Sequence, residues 1–207
     1  DNAADLNNNP IQGLPRKLKL PVTGTLNAAV VPGIRIGETQ TGGITGYVEN
    51  VGAPIATQDL TKGGSGYVKS GSSITGVGLF SITGQGTGAV ATINTDADGK
   101  VSSVTITNAG TGYVKGEILG ITTSTLSAAN RRGSGARVTI KTLDTTEDTL
   151  YLTDVQGENF TNSTALFYYT DPLDESTRTN NTGVTVNGTS SLVDARYTGN
   201  VFSVKQF

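Results

Sequence analysis

The 207-residue chain contains no cysteine, histidine, methionine or tryptophan. Without Cys there is no disulfide framework and no thiolate nucleophile. Without His there is no imidazole base and no imidazole metal ligand. Catalytic triads that work through His, and zinc sites of the usual Cys/His kinds, are therefore excluded. Charge is also scarce. Charged residues make up 15% of the chain, against roughly 25% in an ordinary globular domain. With 15 Lys plus Arg against 17 Asp plus Glu, the net charge of -2 does not suit a nucleic-acid partner held by global charge. Aromatics are 6%, which leaves few platforms for stacking bases or sugars. No run approaches 18 apolar residues, so no membrane-spanning helix is expected.

Small polar residues fill the space. There are 33 Thr, 28 Gly, 15 Ser and 15 Asn, together 91 of the 207 residues. Thr favours strands because its branched Cβ suits a pleated surface, whereas Gly and Asn supply turns with positive φ. No window carries apolar residues at helical spacing over three turns. The best helix candidate, SLVDARY from Ser191, is short and rich in β-branched and aromatic residues. The expected fold is all-β, built of small Gly/Thr-rich sandwich or barrel-like units. Hydrophobic content of 35% implies small cores, with further burial against neighbouring chains.

The chain divides by texture. Residues 1–21 are expected to form an extended arm, since Pro10, Pro15 and Pro21 forbid a regular helix. The alternation Arg16 to Leu20 fits an edge strand or one lent to a neighbour. Residues 22–62 hold short strand candidates, LNAAVV, GIRIG and ITGYVENV. Residues 63–142 contain a repeat, and 143–207 a C-terminal β subdomain with a long polar loop, DPLDESTRTNNTG. The opening DNAADLNNNP without Met, and the apolar alternating end TGNVFSVKQF, suggest a processed product or part of a longer polypeptide.

The repeat is the most informative feature. GGSGYVKSG (Gly63 to Gly71) recurs as AGTGYVKGE (Ala109 to Glu117), Gly66 and Gly112 being 46 residues apart. GTGAVATI (Gly86 to Ile93) recurs as GSGARVTI (Gly133 to Ile140), with 47 residues between Gly88 and Gly135. Two blocks in the same order at nearly one offset mark a supersecondary unit that stacks or pairs with its copy. The glycines are expected to form tight turns and Tyr-Val to begin a strand. Tyr67 and Tyr113 are expected to cover the open end of each small sheet, packing at the core or rim in preference to stacking on a ligand. NTDADGK reads as a hairpin closed by Asp98-Gly99.

Candidate chemistry is sparse. Asn94, Asp96 and Asp98 followed by Gly99 match the start of a calcium loop, but the twelfth position is Thr105 where a bidentate Glu belongs. A plain turn explains the same residues. Asp171, Asp174 and Glu175 are acids within one loop, whereas a glycosidase pair faces across a sugar from separate elements. GQGTG lacks the Lys and the following helix of a phosphate loop. Asn159, Asn162, Asn180 and Asn187 match the glycan acceptor pattern, a weak signal in so Asn- and Thr-rich a chain. Arg131-Arg132 reads as a solvated turn. No catalytic, cofactor-binding or metal-binding residue is assigned, and no cofactor is expected.

The blocks GSGYVKSG, GTGAVATI, DGKVSSVTITNAGTGYVKGE and GSGARVTI resemble a Gly-Tyr repeat of virion structural proteins in tailed bacteriophages. They are especially similar to large baseplate and tail-fibre proteins of contractile-tailed phages that infect cyanobacteria. The resemblance covers about residues 60–140, with weaker similarity toward 207. It implies a non-enzymatic virion protein of baseplate, tail fibre or neck that assembles with other virion proteins through β domains, often as a trimer. Such repeats also occur in adhesin-like surface proteins, so a module binding a host receptor or surface glycan at a fibre tip is the alternative.

Overall fold

A computed structural model describes residues 17–38, 44–69, 71, 73–124, 126, 132–157 and 160–192. Among them there are thirteen strands, one 3-10 turn and no α-helix, so the fold is all-β. The compact units do not follow chain order. One combines residues up to 51 with residues 149–192, and the other is built from 52–148.

The first unit contains β1 (Leu18–Thr23), β2 (Arg35–Glu38), β3 (Thr45–Gly52), β10 (Thr149–Gln156), β11 (Ala165–Tyr169), β12 (Arg178–Val186) and β13 (Ser191–Leu192). Their order is β10-β3-β2-β11-β12-β1-β13, and β1 also pairs with β10. That extra ladder closes the sheet into a barrel and removes the edges that an open sheet must protect. Alternation makes the core. Leu18, Leu20 and Val22 point inward from β1, and meet Leu150, Leu152, Ile36, Val48, Leu166, Tyr168, Val184 and Val186. Each such side chain contributes roughly 1.5–3 kcal/mol when fully buried.

β1 corrects the expectation of an N-terminal arm or edge strand from residue 18 onward. It is paired on both sides, Leu18 and Leu20 opposite Leu152 and Leu150, and Val22 opposite Val186. The alternation reports one buried face. Whether both edges are occupied depends on strands well over a hundred residues away, which local pattern does not reach. The rest of the expected arm lies outside the described residues.

LNAAVV is not a strand. The Asn27 side chain accepts from Ala29 N at 2.9 Å, and Val30 N donates to Asn27 O at 2.8 Å, so local side-chain bonding folds the segment into turns. The long polar loop is also shorter than its composition suggests. Asp171, Asp174 and Thr177 close a turn around a 3-10 helix at Glu175–Thr177, and β12 then begins at Arg178 opposite Tyr169. Of SLVDARY, Ser191–Leu192 is β13, and the remainder lies outside the described residues.

The second unit has β4 (Ile55–Ser65), β5 (Ser73–Ser81), β6 (Val90–Thr95), β7 (Val101–Asn108), β8 (Ile118–Ile121) and β9 (Ser134–Leu143). Their order is β4-β9-β8-β5-β6-β7. Exchanging β4 with β7, β5 with β8 and β6 with β9 turns this order into its own reverse. Residue-level contacts obey the same exchange. Lys62 lies opposite Arg137 as Asn108 lies opposite Val90, and Leu60 opposite Val138 as Ile106 opposite Ala91. Both ladders slip at the intervening threonine. There Thr61 Oγ1 donates to Arg137 O at 3.1 Å and Thr107 Oγ1 to Val90 O at 3.2 Å.

The outer strands β4 and β7 face one another in this barrel-like sheet. Gln58 Nε2 donates to Val104 O at 2.9 Å between them, and Ile55 N to Ala109 O at 3.1 Å. The core beneath is built of Val77, Leu79, Ala89, Ala91, Ile93, Leu119, Ala136, Val138 and Ile140, with both repeat tyrosines.

Candidate functional site

The repeat residues assemble into two mirrored couplings inside the second unit. β4 ends at Ser65, and Tyr67 lies beyond the strand with its ring where a Cβ on Gly133 would stand. Likewise the Tyr113 ring occupies the place of a Cβ on Gly86. Neither Tyr-Val begins a strand, contrary to the sequence expectation. The glycine turn instead swings each tyrosine down into the core, leaving Tyr67 and Tyr113 4% and 0% exposed. Glycine at 86 and 133 removes the side chain that would collide with a flat ring.

Each phenol is anchored by one backbone amide. Ala89 N donates to Tyr113 Oη at 3.2 Å, and the Tyr67 hydroxyl is bonded by the Ala136 amide. Burial pushes both phenols above the usual tyrosine range. The chain beside each tyrosine is held in parallel fashion. Tyr67 N donates to Gly99 O, and Tyr113 N to Ala53 O, both at 3.0 Å. Gly66 and Gly112 have φ of 79° and 68°, and Gly88 and Gly135 have 81° and 80°.

One half carries an addition. Glu117 is buried, with Oε1 accepting from Gly86 N at 3.1 Å and Oε2 from Val114 N at 3.0 Å. It braces the glycine loop over Tyr113. The position 46 residues earlier is Gly71, which has no side chain to do this.

The loop also borders a shallow depression of about 360 Å³, lined by Leu79, Phe80, Ser81 and Gly84 to Gly88. Phe80 is 48% exposed and covers Gly120 on the facing strand.

The calcium-loop candidates form a hairpin tip. Asp96 Oδ1 accepts from Asp98 N at 3.0 Å and Lys100 N at 2.8 Å, while Asn94 Nδ2 donates to Ser103 Oγ at 2.8 Å. Gly99 takes φ 76°, as the third residue of such a loop requires. The Asp96 carboxylate therefore shapes the turn.

In the first unit the three acids of the 171–177 turn do not converge. Asp171 Oδ1 accepts from Leu173 N, and Asp174 Oδ1 from Ser176 N and Oγ. Glu175 pairs with Arg35 and accepts from Tyr169 Oη at 2.8 Å. The Arg35 and Tyr169 bonds hold Glu175 below the usual carboxylate range, and those from Ser176 do the same for Asp174. Neither stores a proton for acid catalysis near neutrality.

Sequence reading missed the surface beside them. Arg35 lies 4.6 Å from the Tyr169 ring centre, Arg178 lies 4.0 Å from that of Phe167, and the two rings meet edge-on at 5.2 Å. Phe167 also covers Gly37 opposite it. ALFYY hinted at an aromatic strand. The arginines come from β2 and β12, so only strand pairing assembles the cluster. Leu173, at the turn above, is 89% exposed.

The remaining candidates are scattered. Asn162, Asn180 and Asn187 are exposed, and Asn162 Oδ1 accepts from Gly188 N at 2.7 Å. Asn159 and Arg131 lie outside the described residues, whereas Arg132 is exposed. Among the described residues no three His, Cys, Asp or Glu side chains converge as metal ligands, and no helix is long and apolar enough to cross a membrane. No protein-family model matches the chain, and no curated protein or solved structure is found to be similar to it.

Proposed function

We propose that the chain is a non-enzymatic structural component of a phage virion, acting through subunit assembly by its β domains. The observation that carries this reading is where the Gly-Tyr repeat puts its residues. Tyr67, Tyr113 and the glycines against them are packed in the core, and their polar atoms bond backbone amides. A repeat whose tyrosines and glycines are used in this way supplies architecture. The acids that would serve a hydrolase hold a turn and a cation instead. Its partners in this reading are other virion proteins and further copies of the chain, in a trimer, within the extracellular particle.

The test is quantitative mass spectrometry of purified tailed-phage particles whose genome encodes this chain. The expected result is its peptides at a fixed copy number, a multiple of three, after washing that strips loosely bound protein. Absence from intact particles would overturn the proposal.

The depression beside Phe80 favours one alternative, a module that binds a surface glycan. An exposed ring beside backbone donors and acceptors is the minimum that a sugar face requires. Titration with host-surface polysaccharide separates the two: saturable binding lost in Phe80→Ala selects the alternative.

A further inference from the structure

The strand order of the second unit separates each repeat from itself. The first element, residues 52–98, holds β4, β5 and β6; the second, 99–148, holds β7, β8 and β9. Within each element only the last two strands pair, β5 with β6 and β8 with β9. The first strand of each crosses over, β4 to β9 and β7 to β6, while β5 and β8 join at the centre. The tyrosine couplings cross as well. Tyr67 of the first element sits on Gly133 of the second, and Tyr113 of the second sits on Gly86 of the first. Gly64 packs against Ser134 to Ala136, and Gly110 against Thr87 to Ala89. Neither element completes its own core.

The far ends of the elements both continue into the first unit, and meet where Asp144 N donates to Pro54 O at 2.8 Å and Asp148 N to Gly52 O at 3.0 Å. The chain passes from one element to the other at the tip between Thr95 and Val101. Asp96 shapes that tip, its amide, carbonyl and carboxylate bonding Lys100, Gly99 and Asp98, and Tyr67 N donates to Gly99 O from outside it. Gly99 is confined there, since φ is 76° and a Cβ would stand 2.6 Å from Tyr67 O.

We infer that the second unit is an internal dimer whose two elements exchange with those of a second copy of this chain. The interaction surface is the cradle Gly86 to Ala89 or Gly133 to Ala136, and the partner that fits it is the Gly-x-Gly-Tyr arm of another molecule. Opening the tip lets β6 of one molecule pair with β7 of another. Because β10 to β13 complete one sheet with β1 to β3, all the strands after the tip exchange together, and every coupling lost within a chain reforms between chains. No new contact is needed. The cost is that of association, set by concentration and by how readily the tip closes. The inference stands on the crossed couplings and does not depend on a virion role.

Two full-length variants test it by complementation. Gly86→Val destroys the seat of Tyr113, and Gly133→Val that of Tyr67. In an exchanged heterodimer one lobe collects both damaged cradles and the other collects both intact ones. Refolding the variants together from denaturant should give a dimer by light scattering, with about half the wild-type amplitude of the second unit's thermal transition. Each variant refolded alone should lack that transition. A mixture equal to the average of its components would overturn the inference, and so would a mixture that aggregates without the restored transition. A second variant, with Ala97 and Asp98 deleted so that the tip does not close, should convert the chain to a dimer that keeps its tyrosines buried. A monomer at all concentrations, or exposed tyrosines by solvent-perturbation absorbance, would count against exchange.

Discussion

The two units meet the same requirement, closing a small sheet over a small core, by different means. The barrel closes through backbone ladders, and long aliphatic side chains drawn from both parts of the sequence fill it. The repeat unit has fewer long aliphatics. Alanine and glycine let its strands approach, and two tyrosine rings fill the spaces that the glycines open. Cβ-less positions and large rings must match one to one in such a core. Aliphatic cores tolerate exchange among Leu, Ile and Val with less penalty. The repeat unit is therefore expected to be the more brittle of the two.

That contrast breaks if truncations cost the same everywhere. Tyr113→Ala should destabilise the repeat unit by about 3–5 kcal/mol, the range for a buried ring reduced to a methyl. Leu20→Ala should cost the barrel about 2–5 kcal/mol. Differential scanning calorimetry should show each variant lowering its own transition, and a single shared transition moved by both would erase the distinction. Additions sharpen the comparison. Gly86→Ala places a methyl inside the Tyr113 ring and should cost about 3 kcal/mol, although Gly to Ala is neutral or stabilising where space and φ allow. A melt within a degree of wild type would refute the matched ring and glycine.

A smaller loss is expected from Tyr113→Phe. It leaves the Ala89 amide without its acceptor, at roughly 1–3 kcal/mol. The same phenols set a dependence on pH. Their folded pKa values are raised by burial above the unfolded value of about 10. The stability that they contribute is thus complete below pH of about 10, and is lost as pH rises through their folded values. Denaturant titration from pH 8 to 11 should show the repeat unit weakening first, and Tyr113→Phe should flatten the slope. Glu175 lies on the opposite side. Its pKa is lowered by Arg35 and Tyr169, so its contribution is present above the usual carboxylate range and fades as pH falls through the folded value. As its side chain is 70% exposed, Glu175→Gln should move the barrel's melting by little more than the resolution of the measurement.

How far each element was legible follows from the range of the force that made it. β6, β7 and their tip were readable because Asp96 to Gly99 bond among themselves within a few residues. LNAAVV misled because its apolar residues alternate poorly and Asn27 bonds its own backbone, a local competitor that hydrophobicity does not register. The 171–183 stretch misled in the opposite way. Arg178, Thr179 and Asn180 are exposed on a strand whose partner, Phe167 to Tyr169, is what makes it a strand. The arginine and aromatic cluster was invisible because Arg35 and Arg178 gain meaning only from the rings beneath them.

The sequence by itself determined the class of fold, the absence of imidazole and thiol chemistry, and the repeated blocks with their offset, for composition and short-range spacing carry all of these. Tertiary structure alone decided that residues 18–23 close a barrel with strands from beyond residue 149, and that each repeat tyrosine sits on the other repeat's glycine. The physical reason is the same in both cases. A strand's alternation specifies which face is buried, but its backbone donors and acceptors are alike at every residue, so the identity of the neighbour is left to whatever shape fits. Here the fit is a flat ring against a missing side chain, and neither partner of that pair reveals the other until the chain has folded.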